Sequence, residues 1–287
     1  MDKNKQQIID PGLYLVSTPI GNMEDITIRA LNILKRSDII LCEDTRRSIK
    51  LLNNFKIKNK LSPYHKFNEK KVSGNIIEIL KKNKIVSLIC DAGTPTISDP
   101  GLILINKCIE ENLNIYPIPG PSASISAISV SGFSDKYLFY GFLEKGEGEL
   151  DKTLNKLCDI SYSIIFFVPA KKINDYLIKF KKHFSGRKIL IAKEMTKLHE
   201  NFIRGDIESI KPLAANLKGE LTVVVSSKNK ERNDKKILSE SVKIEINKML
   251  KKYSHKDVVD FISKKENLSK KIIYNFCLKF KGKTWKK

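Results

Sequence analysis

Short β-branched or apolar runs alternate with segments of helical period over the first 130 residues. LYLVS (Leu13 to Ser17) predicts a buried strand, followed by the loop TPIGN. Asp25 is then placed to cap a helix in which Ile28, Leu31 and Leu34 repeat on one face. IILC (Ile39 to Cys42) predicts a second strand, ending in EDTRRS and another helical segment. Ile76, Ile77 and Leu80 mark a further helix, KIVSLIC (Lys84 to Cys90) a strand, and Leu102 to Ile109 a helix. NIYPI (Asn114 to Ile118) predicts a strand that runs into PGPSAS and a small-residue helix. Repetition of strand, loop and helix predicts an α/β fold with a largely parallel sheet covered by helices.

The composition changes near Gly132 to Gly148. Beyond it YLFYGF, SIIFFV, KILIAKE and ELTVVVS predict a second α/β domain. SSKNKERNDKK (Ser226 to Lys236) reads as a polar, charged linker. Two helical patterns follow, Asp257 to Lys264 and Ser269 to Lys279, around a turn near Asn267. The expected organisation is an N-terminal α/β domain over 1–120, a second over 121–228, and a basic linker with a helical tail over 229–287.

Composition narrows the setting. With 41% hydrophobic residues in 287, the chain can bury a sizeable core. No run approaches the roughly 20 apolar residues of a membrane helix. The N-terminal MDKNKQQIID lacks the apolar stretch of a secretory signal. Cys42, Cys90, Cys108, Cys158 and Cys277 are scattered and never form C-x-x-C, which predicts reduced thiols and no zinc site. The expectation is a soluble, cytoplasmic protein without a membrane partner. The net charge of +21 favours polyanionic partners, although a lysine-rich genome would produce the same excess. Only seven of the 53 basic residues are arginine. Arg29, Arg46, Arg47, Arg187 and Arg204 therefore stand out, because the planar guanidinium grips carboxylate or phosphate as lysine cannot.

Six of the ten prolines fall in three loops, each at the C-terminal end of a predicted strand. They are Pro19 in STPIGN, Pro95 and Pro100 in DAGTPTISDPG, and Pro117, Pro119 and Pro121 in YPIPGPSAS. Open α/β sheets bind ligands outside those strand ends, where glycine permits close approach and proline fixes its angle. Neither a G-x-x-x-x-G-K-[ST] cradle nor a G-x-G-x-x-G turn is present, so the pocket suits a ligand other than a nucleoside triphosphate. His65, His183, His199 and His255 are isolated, and no metal site is expected.

The block LYLVSTPIGNMEDITIRALNILKRSDIILCEDTRRS is similar to the opening of the ribosomal RNA small subunit methyltransferase I family, of the tetrapyrrole-methylase-like class. CDAGTPTISDPG, IPGPSASISAISVSG and AKEMTKLHENFIRG resemble further blocks of that family in the same order, over roughly residues 12 to 226. The resemblance implies two α/β domains forming a cleft, a small C-terminal helical extension, and S-adenosylmethionine as cofactor. The implied reaction is 2′-O-methylation of a cytidine in the decoding region of 16S rRNA within the small ribosomal subunit, by a homodimer. By position, Thr18, Pro19 and Gly21 would line the cofactor's side of the cleft. Asp91, Ala92, Gly93, Thr94 and Pro95 would contact its methionine portion, and Gly120, Ser122 and Ala123 would complete the wall. Second-domain strands including Glu220 to Val224 would hold the adenosine.

Methyl transfer from a sulfonium is an in-line displacement, so positioning of the acceptor oxygen dominates. A carboxylate or neutral amine within hydrogen-bond reach would take the hydroxyl proton. Glu43, Asp44 and Arg46 form the expected substrate-side group; Asp91, Lys193 and Glu194 are further candidates. An Asp44–Arg46 ion pair that only fixes the loop is an equal alternative.

Three segments depart from the family pattern. FLEKGEGELDK replaces a basic stretch, with Glu144, Glu147, Glu149 and Asp151 making it acidic; FVPAKK (Phe167 to Lys172) lacks a glutamate and a histidine; and Lys193 replaces an arginine. Two other readings therefore stay open: a same-class enzyme acting on a tetrapyrrole or other small acceptor, and a ribosome-binding protein without activity. Residues 230–287 carry 18 Lys and Arg against 7 Asp and Glu. Tyr253, Phe261, Tyr274, Phe276, Phe280 and Trp285 interleave with them; most are expected in a mini-core, with Trp285 exposed. Such a tail would meet phosphates rather than read bases.

Overall fold

The computed structural model describes residues 9–214, 217–228, 238–266 and 268–280. Most of the expected linker (229–236), the turn at Asn267, and Trp285 lie outside them. The chain divides into two compact units, 1–228 and 229–287.

The first unit holds two five-stranded sheets. In the first, β1 (Gly12–Val16), β2 (Ile39–Cys42), β3 (Leu61–Pro63), β4 (Ile85–Leu88) and β5 (Ile115–Ile118) run parallel in the order β3-β2-β4-β1-β5. Helices α1 (Ile28–Arg36), α2 (Thr45–Asn54), α3 (Glu69–Lys81) and α4 (Leu102–Glu110) connect the strands. Apolar residues fill both faces: Tyr14, Val16, Ile40 and Cys42 join one core, and Leu13, Ile39, Leu41, Val86 and Leu88 the other. Burial on both sides is why these strands read as unbroken apolar runs. Strand β3 has only half-buried or exposed residues and ends at Pro63, so no pattern predicted it.

One local expectation fails. Thr27, not Asp25, caps α1, its side chain accepting from the Ala30 N–H at 3.1 Å. Starting the helix two residues later turns Ala30, Ile33 and Leu34 inward and leaves Ile28 79% exposed.

The second sheet comprises β6 (Tyr137–Phe142), β7 (Ser163–Pro169), β8 (Lys188–Lys193), β9 (Asn201–Asp206) and β10 (Glu220–Val225), in the order β6-β7-β10-β8-β9. Only β6 and β7 pair parallel; the other three ladders are antiparallel. Helices α6 (Glu147–Leu157) and α7 (Ile173–His183) cover one face, around Phe166, Phe180 and Phe184. Helix α5 (Ala123–Ser129), which follows β5, packs on the opposite face through Ala127 against Ile165, Leu190 and Val224. Ile20, from the loop after β1, packs against the same cluster and so ties the two sheets together.

Arg187 belongs to this framework. It is buried, donating hydrogen bonds to the carbonyls of Cys158, Ile160 and Ser226, with its guanidinium 5.2 Å from the Phe184 ring centre. The acidic segment after β6 is also structural: Glu147 and Glu149 occupy the first turn of α6, where the helix dipole favours them. Asp151 bridges Lys179 at 2.9 Å and His183 at 2.7 Å, and these hydrogen bonds hold its carboxyl down at about 2.

The second unit contains α8 (Glu240–Met249), α9 (His255–Glu266) and α10 (Lys270–Phe280), one helix more than the periodicity predicted. Its core is aliphatic, built from Leu238, Val242, Ile246, Val258, Ile262 and Ile273. Among the described side chains the expected aromatic mini-core is not formed: Tyr253, Phe261 and Tyr274 are exposed and Phe276 packs partly against the aliphatic cluster, while the side chains of Phe280 and Trp285 lie outside the described set. β-branched residues at i, i+4 spacing already close so small an interface, leaving the rings outside. Among the described residues no helix is long and apolar enough to cross a membrane.

Candidate active site

The three proline-bearing loops follow β1, β4 and β5, which are neighbours in the first sheet, and they brace one another. Thr18 and Gly93 exchange backbone hydrogen bonds of 2.9 and 3.0 Å. The Thr18 hydroxyl donates to the Cys90 carbonyl at 3.1 Å, and Ser17 Oγ lies 3.0 Å from Thr94 Oγ1. Thr94 Oγ1 also donates to the Pro121 carbonyl at 3.2 Å, drawing in the third loop. A Cβ on Gly120 would lie 2.8 Å from Ser17 Cβ, so only glycine lets the third loop approach the first. Side chains that sequence motifs suggest for ligand contact thus spend part of their bonding on fixing the loops.

A cavity of about 660 Å³ opens between these loops and the second sheet. That size suits a small-molecule site. Asp91, Ala92, Gly93 and Thr94 line it, as do Ser122, Ala123 and Glu43. Gly93 has φ of 86°, and an added Cβ would find only Ile20 Cγ2 at 3.5 Å and the Pro121 oxygen at 3.8 Å. The second sheet supplies Phe142, Phe167, Ala192, Met195, Glu220 and Thr222. Glu220 and Thr222 face the cavity while Leu221 and Val223 enter the α6–α7 core, as strand alternation requires. Pro95 is buried and does not line the cavity. Thr18, Pro19 and Gly21 line an adjoining cavity of about 260 Å³, which shares Ile20, Arg47, Asp91 and Ala92 with the larger one.

The loops from the two sheets meet at Gly21. The Asn22 N–H donates to Thr196 Oγ1 at 3.0 Å, and a Cβ on Gly21 would sit 2.8 Å from the Met195 carbonyl oxygen. Thr96, Ser98, Glu194 and Thr196 all have φ between 52° and 71°. Such left-handed backbone is costly outside glycine and is concentrated here in the two loops flanking the cavity.

EDTRR splits into two roles. Asp44 is the N-cap of α2, accepting from the Arg46 N–H at 2.9 Å, and its carboxylate grips the Arg46 guanidinium at 3.1 and 2.8 Å. Those hydrogen bonds hold its carboxyl down at about 2. Arg46 points into solvent, and neither residue lines either of these two cavities. Arg47, one position on and so about 100° around the helix, turns to Asp91 at 3.2 Å and lines both cavities. Glu43 lines the larger cavity, where burial and the nearby Asp91 charge raise its pKa.

Sequence motifs also left Asp99 unassigned. It lines the cavity, and burial, reinforced by Glu43, Asp91 and Glu220, raises its carboxyl to about 6. The lining therefore combines an excess of carboxylates, Glu43, Asp91, Asp99, Glu194 and Glu220 against Arg47 and Lys197, with apolar groups from Phe142, Phe167 and Met195. A ligand with positive charge and a flat ring matches both. Among the described residues no three His, Cys, Asp or Glu side chains are placed to hold a metal ion. Phe167, from a segment that departs from the family pattern, makes edge contacts with Phe139 and Phe142 at 5.0 and 5.4 Å. Lys193 does not line the cavity, whereas Glu194 and Lys197 do.

Residues 12–211 match the family of Tetrapyrrole (Corrin/Porphyrin) Methylases. A ribosomal RNA small subunit methyltransferase I of Rickettsia prowazekii is 39% identical over 279 residues, covering 96% of this chain and 99% of the relative. A protein of the same name from Thermotoga maritima is 43% identical, over 75% of this chain and 98% of its own. Among solved structures, a uroporphyrin-III-C-methyltransferase from Thermus thermophilus aligns with a TM-score of 0.54 and 16% identity, covering 76% of this chain and 93% of its own. At that identity the likeness concerns the fold alone.

Proposed function

Because the chain belongs to the tetrapyrrole methylase family, and within it to the ribosomal RNA small subunit methyltransferase I group, we propose that it methylates 16S rRNA. The acceptor is the 2′-oxygen of a cytidine ribose in the decoding region, and S-adenosylmethionine is the donor. The observation that carries this reading is the similarity to the Rickettsia relative, which runs over 96% of this chain and 99% of that protein. The cavity fits the cofactor: it offers carboxylates to a sulfonium and ammonium, apolar groups to an adenine, and no phosphate cradle.

S-adenosylmethionine supplies a methyl group on a sulfonium, a leaving group that needs no further activation. The protein's task is to hold donor and acceptor in line and to accept a proton. Asp91, Ala92, Gly93 and Thr94, with Ser122 and Ala123, form the wall for the methionine portion; Glu220 and Thr222 face the adenosine. Thr18, Pro19 and Gly120 hold that wall in shape, the buried Pro95 supports it, and Gly21 closes it against the Met195 loop. Glu43 is placed to receive the hydroxyl proton, since burial raises its affinity for one. Asp44 and Arg46 fix the start of α2, and thereby the direction of Arg47, which orients Asp91 and is available to an RNA phosphate. The basic residues of 229–287 add sequence-independent attraction to RNA. The reading extends to a cytoplasmic homodimer, checked by light scattering.

Incubation with labelled S-adenosylmethionine and small subunits lacking native methylation, followed by mass-spectrometric mapping, tests the proposal. A single 2′-O-methylcytidine in the decoding region is expected. Label that enters only small acceptors, or none despite cofactor and subunit binding, would refute it.

A further inference from the structure

On the turn between β3 and α3 stands an aromatic side chain that the fold does not use. Phe67 is 96% exposed, more than any other large hydrophobic residue described. The turn that carries it is held at both ends. The Tyr64 N–H donates to the Cys42 carbonyl at 2.8 Å, and its buried hydroxyl lies 3.1 Å from Ser73 Oγ. Asn68 closes the turn: its Oδ1 accepts from the His65 N–H at 2.8 Å, and its Nδ2 donates to the Pro63 carbonyl at 3.0 Å. Phe67 is thereby fixed outward at the tip, with the His65 ring edge-on at 6.1 Å.

This turn follows β3, whose Pro63 is in register with Cys42 at the end of β2. The residue after Cys42 is Glu43, which lines the cavity and lies within electrostatic reach of His65. Lys66, Lys70 and Lys71 flank Phe67 in the chain, all exposed, and none forms an ion pair among the described residues. The one acid in the segment, Glu69, instead accepts the Gly101 N–H at 3.3 Å. A protein-docking face would need contiguous apolar surface, which Lys66, Asn68 and Lys70 interrupt. A single fixed ring among unpaired ammonium groups matches what an unpaired nucleotide requires: a flat face for the base and cations for its phosphates.

We propose that Phe67 is a stacking platform for an unpaired RNA base next to the acceptor nucleotide, with Lys66, Lys70 and Lys71 meeting the flanking phosphates. The inference rests on RNA being the substrate. Steady-state methylation of small subunits by the full-length enzyme tests it, comparing wild type with Phe67→Ala and with Phe67→Trp in a Trp285→Phe background. Loss of one stacked base is worth about 1–3 kcal/mol, so Phe67→Ala should raise KM for subunits about 5- to 150-fold. Its kcat, melting temperature and cofactor affinity should stay at wild-type values. Phe67→Trp should restore KM, and its indole fluorescence should be quenched by RNA. A wild-type KM in Phe67→Ala, or a changed oligomeric state with KM unaltered, overturns the platform alone. A wild-type enzyme that methylates no RNA overturns the functional assignment, and the platform with it.

Discussion

Replacing Gly21 by alanine adds one methyl group at the point where the two sheets' loops touch. Its Cβ would lie 2.6 Å from Lys197 Cγ, 2.6 Å from Thr196 Oγ1 and 2.8 Å from the Met195 carbonyl oxygen. The lysine and threonine side chains have some freedom to yield, but the carbonyl is backbone. Ordinary contact begins near 3.4 Å, so the 194–197 loop must retreat by about 0.6 Å. Met195 packs in the cluster with Ala192 and Ile20, and the shift reaches the cavity wall through it. Overpacking of this kind costs about 1–3 kcal/mol. Loss of the 3.0 Å hydrogen bond from Asn22 to Thr196 adds about 0.5–1.5 kcal/mol. With roughly 2–4 °C per kcal/mol for a domain of this size, the melting temperature should fall by about 3–18 °C. Calorimetric titration should show S-adenosylmethionine bound at least about tenfold more weakly, since one wall has moved by a sizeable fraction of an ångström. Thr196→Ala alone should cost only the hydrogen bond, a few degrees. The double variant should recover part of the loss, because the Met195 carbonyl remains in the way. Wild-type melting and affinity in Gly21→Ala, or complete rescue by Thr196→Ala, would refute the reasoning.

Three further outcomes are expected. Arg187→Met should destabilise the protein by about 2–5 kcal/mol, since three carbonyls lose their donor; thermal melting measures this. The Asp99 carboxyl, raised to about 6, is protonated below that pH and ionised above it. Affinity for the cationic cofactor should therefore rise between pH 5 and pH 7 and become less pH-dependent in Asp99→Asn, as titration across that range would show. For the unliganded protein the sign reverses: its folded state holds this proton more tightly than the unfolded chain, so Asp99 lowers stability as pH rises from about 4 through about 6. Ile246→Ala, in a core confined to the 229–287 unit, should cost that unit about 2–5 kcal/mol. Scanning calorimetry should show its transition lowered, with cofactor affinity unchanged.

Much of the first sheet could be read locally. Strands β1, β2 and β4 are apolar runs buried on both faces, edge strand β5 is a partly buried one, and each ends at a chemically distinct loop. The helices between them carry their period openly, and the blocks from TPIGN to AKEMTK carried the family resemblance. Edge strands β3 and β9 escaped because half-exposed residues carry no clear alternation. The face of α1 was misread because the register of a helix depends on where it starts, and Thr27 competed with Asp25 for that position.

Sequence by itself determined the α/β class, the order of elements and the three proline-bearing loops at strand ends, because each depends on residues near one another in the chain. Its motif pointed to Arg46 for the substrate side, whereas Arg47 is the one that lines both cavities. Neighbours on a helix point about 100° apart, and the direction of the cavity is set by Asp91, 44 residues away from the second arginine. Nor could sequence place Phe142, Phe167, Glu194, Lys197 and Asp99 around one space. Those five converge only when mixed strand pairing and the Gly21–Met195 contact set one sheet against the other. Elements follow from local pattern, but a site shared by two sheets follows from their packing, and packing is decided by contacts that no window of sequence contains.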